Sequence, residues 1–376
     1  MKLSYTGTEL KKVILFIVLL YINIGSKEIF RFFEANDFVP FGVAFFSLLS
    51  LTLLLNSSKE YTELFLYSVI FYLFLLTMSF GSNSLDYGLQ KAFLGLLLPM
   101  TLFNFFSKRE WTEEEIIDYL VIAVFIVSII GILFKLREGF FDRSVRFGLL
   151  GPIPFGWLNG MAFLALVLQK HKKMNVVFLA LFFFAMVIWT GSKGPLIGVV
   201  FMTLVFFNRI IGKEISSKFT VLVLIIITGF VLDAYSDDIR AVKNITDFIA
   251  NPEEYSEGVG KGSIGTRADY FNISLNLFYQ NPILGVGLGG WQENSLMDHK
   301  YPHNVFFELL SEIGILGLLF WFVLLLKLKY NSIFAYIGVF GLVALMFSGD
   351  FSYFRYAFYP LLIGYYLHIK TYKTIN

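Results

Sequence analysis

A succession of apolar runs, each about as long as a bilayer is thick, constrains this chain most. Lipid offers backbone N–H and C=O groups no partner. A chain immersed in it closes its own hydrogen bonds, as helices or as a closed barrel. Runs without strict alternation read as helices, and about 20 residues cross the hydrocarbon. Twelve candidate spans fall near 12–26, 38–56, 62–80, 86–106, 116–136, 154–169, 174–190, 195–212, 219–233, 303–327, 331–348 and 354–369. Composition agrees: of 376 residues 57% are hydrophobic and 15% charged. A soluble chain of this size does not cover that much apolar surface. The expected fold class is an all-α polytopic membrane protein with about 12 transmembrane helices, residues 1–376 forming a single integral membrane domain.

Cations orient the spans, because short cytoplasmic loops are enriched in Lys and Arg. Twelve spans put both termini on one side. That side holds sixteen cations, including Lys11, Lys12, Lys108, Arg109, Lys170, Lys172, Lys173, Lys327 and Lys370. The short loops opposite hold eight: Lys27, Arg31, Lys135, Arg137, Arg143, Arg146, Lys193 and Arg355. Both termini are therefore expected in the cytoplasm. Lys11-Lys12 and the apolar run behind it are signal-like, but no small-residue cleavage site follows. They read as a first, uncleaved helix. Half of the opposite side's cations crowd into Lys135 to Arg146, against the topological bias. The charges Lys91, Asp118, Glu308 and Glu312 fall within spans, near their ends.

Between spans nine and ten, residues 233–302 form a long loop expected on the outer face. It is too long for a plain connection and calls for helices of its own. "SDDIRAVKNITDFIA" spaces Ile239, Val242, Ile245 and Ile249 at helical intervals, with Ser236 as a candidate cap. A Gly/Glu-rich stretch follows. Next, "TRADYFNISLNLFYQ" reads as a second amphipathic helix, capped by Thr266 and stopped at Asn281-Pro282. The piece "ILGVGLGGW" contains G-x-G-x-x-G at Gly285, Gly287 and Gly290. It follows a helix instead of a strand, so it reads as a tight turn and not as a dinucleotide site.

Other chemistry classes drop out. With no cysteine, disulfides, thiolate catalysis and Cys-ligated metals are excluded. His171, His299, His303 and His368 are too scattered for a metal cluster. A net charge of +2, with no basic run interleaved with aromatics, gives no sign of nucleic-acid binding.

Four pieces stand in order: "RFGLLGPIPFGWLNG" from Arg146, "TGSKGPL" at 190–196, "TRADYF…NPILGVGLGGW" at 266–291, and "HNVFFELLSEIGILGLL" from His303. This order resembles the bacterial O-antigen polymerase and O-antigen ligase superfamily of membrane glycosyltransferases. The resemblance covers the second half of the chain by motif and the first half by span count. It implies a multi-pass inner-membrane enzyme whose active site faces the periplasm, with the 233–302 loop forming part of that site. There a glycan on undecaprenyl diphosphate meets an acceptor sugar. No metal or other cofactor is implied, and the lack of an outer Asp-x-Asp fits that. Implied partners are the undecaprenyl-diphosphate-linked oligosaccharide, the bilayer, a chain-length regulator and a flippase.

The family's essential loop arginine and His-Asn histidine carry over to Arg267 and His303. Thr190-Gly191-Ser192-Lys193-Gly194 carries lysine where the family has arginine, keeping the charge but losing the bidentate fork. Arg267, Arg146, Arg143 and Lys193 are then the cations for a lipid diphosphate, and His303 the base for an acceptor hydroxyl. Asn304 and Glu312 are supporting candidates. His303 and Glu312 lie nine residues apart, on opposite sides of an ideal helix, so Glu312 is expected to hold a neighbouring loop or an arginine. Glu308 departs from the family's apolar residue and is left without a role. Trp157 and Trp291 fall near the expected site. Each residue also has a plainer use: His303 as a helix-end residue, Arg267 paired with Asp269, Arg143 and Arg146 as head-group anchors. The main reading is a polymerase adding the growing chain to the next lipid-linked repeat unit; a ligase acting on lipid A–core shares every motif and is its close alternative. A lipid-linked-sugar flippase is the alternative of another class.

Overall fold

The computed structural model describes residues 7–34, 38–140, 146–148, 150–169, 174–206, 263–295, 301–329 and 331–375. These residues are helical throughout, apart from turns and one isolated bridge between Phe147 and Leu150. In chain order the helices are α1 (Gly7–Glu34), α2 (Val39–Leu55), α3 (Thr62–Phe80), α4 (Leu85–Ala92), α5 (Leu98–Ser107), α6 (Glu113–Glu138) and α7 (Pro152–Val167). They continue as α8 (Met174–Trp189), α9 (Lys193–Val205), α10 (Ser263–Gln280), α11 (Trp291–Ser295), α12 (Val305–Lys327), α13 (Ile333–Leu345) and α14 (Arg355–Ile375). A π-helical segment, Phe93–Leu97, joins α4 to α5.

Among the described residues, four helical stretches are long and apolar enough to cross a membrane: Lys59–Phe80, Leu85–Ser107, Glu113–Glu138 and Val305–Lys327. Shorter apolar helices include Val39–Leu55, Pro152–Val167 and Ile333–Leu345. Each expected span with described residues coincides with a helix, to within a few residues at most ends. The expected span at 219–233 and the amphipathic helix after Ser236 lie outside the described residues. So does the Gly/Glu-rich stretch before Ser263. The helix expected from Thr266 begins earlier, at Ser263, which puts Thr266 inside it; it ends at Gln280, as Asn281-Pro282 dictates.

The chain forms two compact units, residues 1–120 with 271–376, and residues 121–270. The second is knit around α7. Its Asn159 accepts a hydrogen bond from Ser128 on α6 (2.8 Å), and Pro195 of α9 lies against Gly156. The first unit is aromatic at its centre. Phe106 stacks on Trp111 at 4.9 Å, and Phe320 of α12 stacks on Phe71 of α3 at 5.7 Å.

The turn at 282–290 is the keystone of the first unit. Helix α12 is interrupted at Gly314, whose φ of 60 and ψ of −165 are not helical. The interruption frees backbone groups, and the turn takes them up. Ile315 and Leu316 donate to Pro282 and Ile283 (2.9 and 3.2 Å), while Val286 and Gly287 donate to Ser311 and Glu312 (2.9 Å each). On its other side Leu288 donates to Met78 at 3.1 Å. Backbone meets backbone on both sides, which is why glycines are needed. A Cβ on Gly285 would lie 2.4 Å from the Glu312 carbonyl carbon, and one on Gly289 would lie 2.7 Å from the Gly88 nitrogen. Both glycines also have positive φ, 70 and 86. The G-x-G-x-x-G string is thus a packing device, as its position after a helix suggested.

Replacing Gly285 with Ala should therefore cost at least about 1–2 kcal/mol from backbone conformation alone. The check is the thermal midpoint in detergent. Gly25→Ala, which has nothing within 4 Å of the added carbon, should leave it unchanged or raise it.

Candidate functional site

Asn304 sets the mouth of α12. Its side-chain oxygen accepts from the Phe306 and Phe307 N–H groups (3.0 and 3.2 Å), and its amide donates to Met346 O at 2.9 Å. The first two bonds satisfy amides that no helix end can pair itself. The third ties this mouth to the end of α13. His303 precedes the cap and lies outside the helix, half-buried, with φ of 60. Among the described residues it is the one non-glycine with positive φ. Such a conformation persists only where the surroundings impose it, and it is enriched at functional sites. Tyr301 meets the imidazole edge-on at 4.7 Å. The helical-wheel relation between His303 and Glu312 therefore does not apply, since the helix begins after His303.

One turn into α12, Glu308 and Glu312 are both fully buried, and so is Lys91 of α4. The Lys91 ammonium lies 2.5 Å from Glu308 and 2.8 Å from Glu312. Glu312 also accepts the Gly289 N–H at 2.9 Å and the Trp291 N–H at 3.2 Å. One carboxylate thus joins three pieces: α12, α4 and the glycine turn. Unpaired charges in an apolar interior are prohibitively expensive. Charged groups inside spans are found paired, and this triad is such a case.

A second polar group adjoins the first. Asp350 accepts from Tyr87 Oη at 2.6 Å and from Ser352, and its carboxylate lies 3.5 Å from Lys27. Burial pushes the Asp350 carboxyl up. Lys27 and Lys91, together with the Ser352 and Tyr87 hydrogen bonds, outweigh it and hold that carboxyl well below the usual range. The Lys91 ammonium sits over the Tyr87 ring, 4.4 Å from its centre. Arg355, 1% exposed, donates to Asn23 O at 2.7 Å and to Ser352 O. Lys27 and Arg355, counted by sequence among outer-face cations, are therefore engaged inside the protein.

The second unit carries the remaining candidates. Arg146 is exposed, beside the tight Phe147–Leu150 turn. Lys193 is the first residue of α9; its side chain lies outside the described residues, as does all of Arg143. Thr190 and Ser192 are buried, and the Thr190 hydroxyl accepts the Ser192 N–H at 3.2 Å. These bonds form the tight bend that delivers Lys193. Arg267 sits on the first half of α10, half-buried. Trp157 and Trp291 are fully buried, and Trp291 Nε1 donates to Ser274 at 2.8 Å. Neither indole is presented as an open sugar platform. Among the described residues, no group of three or more His, Cys, Asp or Glu has metal-binding geometry.

Of the sequence candidates, His303, Asn304 and Glu312 fall in one unit and Arg146, Lys193 and Arg267 in the other. Glu312, expected to hold a loop or an arginine, holds the loop and a lysine. Sequence reasoning missed Lys91, Tyr87 and Asp350. The signal was present: one lysine and two glutamates within spans demand each other. Lys91→Met should thus leave two buried carboxylates without their cation and cost about 3–5 kcal/mol. Glu308→Gln should cost less than Glu312→Gln, because Glu312 also holds two backbone amides. Thermal unfolding of the three variants in detergent checks that order.

Residues 178–322 match the family model described as O-Antigen ligase. No curated protein matches the chain. The matched stretch contains Lys193, Arg267, His303, Asn304, Glu308 and Glu312, and the match supports the chain's membership of the O-antigen ligase/polymerase superfamily.

Proposed function

We propose that the chain is a membrane glycan polymerase. It transfers a glycan from undecaprenyl diphosphate to the sugar of another lipid-linked repeat unit, at the outer face of the inner membrane. The observation that carries this reading is His303, held in left-handed backbone ahead of an apolar helix, within the family match. The positive-inside count supports twelve spans with both termini cytoplasmic, and it puts the mouth of α12 and the 233–302 loop on the outer face.

The leaving group is a lipid diphosphate and needs charge stabilisation more than protonation. His303 takes the proton of the acceptor hydroxyl. That oxygen attacks the anomeric carbon, and the bond from this carbon to the diphosphate oxygen breaks. The electron pair leaves with the diphosphate, against Arg267, with Arg146, Arg143 and Lys193 as further cations. Fixed cations in a dry cleft stabilise developing charge with little reorganisation. A single displacement of this kind inverts the anomeric centre. Asn304 keeps the His303 backbone in place, and Glu312 holds the turn behind it.

A second reading, a ligase whose acceptor is lipid A–core, draws support from the description of the matched family model, O-Antigen ligase. A deletion strain separates the two. Loss of a polymerase leaves core bearing a single repeat unit; loss of a ligase leaves bare core and lipid-linked polymer.

His303→Asn, which tolerates positive φ, should fold and insert normally yet lose transfer by about 10²–10⁴-fold. Near-normal chain formation by that variant would remove His303 from the mechanism. Arg267→Lys keeps the charge and loses the fork; transfer should fall about tenfold or more. Initial rates with reconstituted protein read both outcomes.

A further inference from the structure

A cavity of about 480 Å³ opens in the first unit, where the end of α1 and the start of α2 meet the start of α4 and the short helix α11. Its lining includes Glu34, Asn83, Asp86, Tyr87, Gln90 and Gln292. The volume lies within the range of small-molecule sites, about 300–1,000 Å³. Gln90 is the informative residue. It is 6% exposed and lines this cavity. A carboxamide so placed offers both donors and an acceptor to a polar group of a ligand or to a water.

The lining also selects the chemistry. The described wall has no Lys or Arg, so a phosphate finds no counter-charge there. It has two aliphatic residues, Val39 and Leu85, too few for an acyl chain. Three carboxamides offer donors and acceptors together, and two carboxylates accept. A ring bearing several neighbouring hydroxyls, each both donor and acceptor, matches that set. Tyr87 adds an aromatic surface of the kind that packs against an apolar ring face. The Ser84 hydroxyl donates to Glu293 at 2.8 Å, which fixes α11, and Gln292 with it, at the rim.

From these observations we infer that this cavity is a binding subsite for an uncharged sugar ring of a glycan substrate. The inference rests on the glycan-transferase reading and adds the residues that grip the sugar. Tyr87 joins the subsite to the buried charges, through its hydroxyl to Asp350 and its ring beneath Lys91. Occupation of the cavity therefore bears on the packing behind the mouth of α12. Asn83, Gln90 and Gln292 act in binding and touch none of the reacting atoms.

The test uses the full chain in nanodiscs and the repeat-unit oligosaccharide released by mild acid from its own lipid carrier. This oligosaccharide should raise the thermal midpoint of the wild type. The rise should shrink in Asn83→Ala, Gln90→Leu and Gln292→Ala. In transfer assays the same variants should raise KM for the lipid-linked glycan about five- to thirtyfold, with kcat little changed. Asn83 is exposed, so its variant reports binding even where Gln90→Leu fails to fold. Unchanged midpoint shifts and unchanged KM in Asn83→Ala and Gln292→Ala would overturn the inference. A cavity-dependent shift with inorganic phosphate in place of oligosaccharide would overturn its sugar chemistry. Wild-type protein that binds the oligosaccharide through these residues but transfers nothing would uphold the subsite and defeat the transferase reading.

Discussion

The Glu312 carboxylate holds the first unit together. It accepts from the Lys91 ammonium on one side and from the Gly289 and Trp291 N–H groups on the other. Every partner is buried, so each bond forms where water offers no substitute and its loss leaves an orphan. The carboxylate fastens the glycine turn against α12 at the point where Gly314 breaks that helix. The turn's close packing follows, as does the sequence of small residues from Gly285 to Gly290. Glu308 adds a second negative charge to the same lysine.

This arrangement gives the His-Asn entry a rigid base. The helix behind Asn304 is anchored by a buried ion triad one turn in, and its mouth is tied to Met346. His303 then sits on backbone that is over-determined from below while its own conformation is unfavourable. On the proposed reading of His303 as the base, such a hold keeps it in position as substrate arrives, and positioning supplies much of a transfer enzyme's advantage. The cations assigned to the diphosphate lie on the other unit.

The apolar runs made the helices legible. Each is long and lacks competing signals, so Val39–Leu55, Glu113–Glu138 and Ile333–Leu345 were visible within a few residues. The opening of α12 near Asn304 was legible too, where polar residues give way to the apolar run, but Asn304 was given only a supporting role, without the two capping bonds that define it. The interruption at Gly314 escaped: a lone glycine in a span is ordinary, and only its partner, the turn at 282–290, gives it meaning. Glu308 had no role in the sequence because its partner Lys91 lies far away along the chain. Long-range ion pairing is invisible to local pattern, although the cost of buried charge requires that a partner exist. Nor did the cation count reveal the partners of two of its members, Lys27 beside Asp350 and Arg355 on backbone carbonyls.

In the proposed reaction this chain makes a glycosidic bond at the expense of a lipid diphosphate, so bond formation and carrier release go together. The direct measurement uses purified protein in sealed vesicles loaded with undecaprenyl-diphosphate oligosaccharide. It follows glycan length and free undecaprenyl diphosphate together. One undecaprenyl diphosphate should be released for each new bond between repeat units. Movement of the oligosaccharide across the bilayer with its diphosphate linkage intact, and no lengthening, would contradict it.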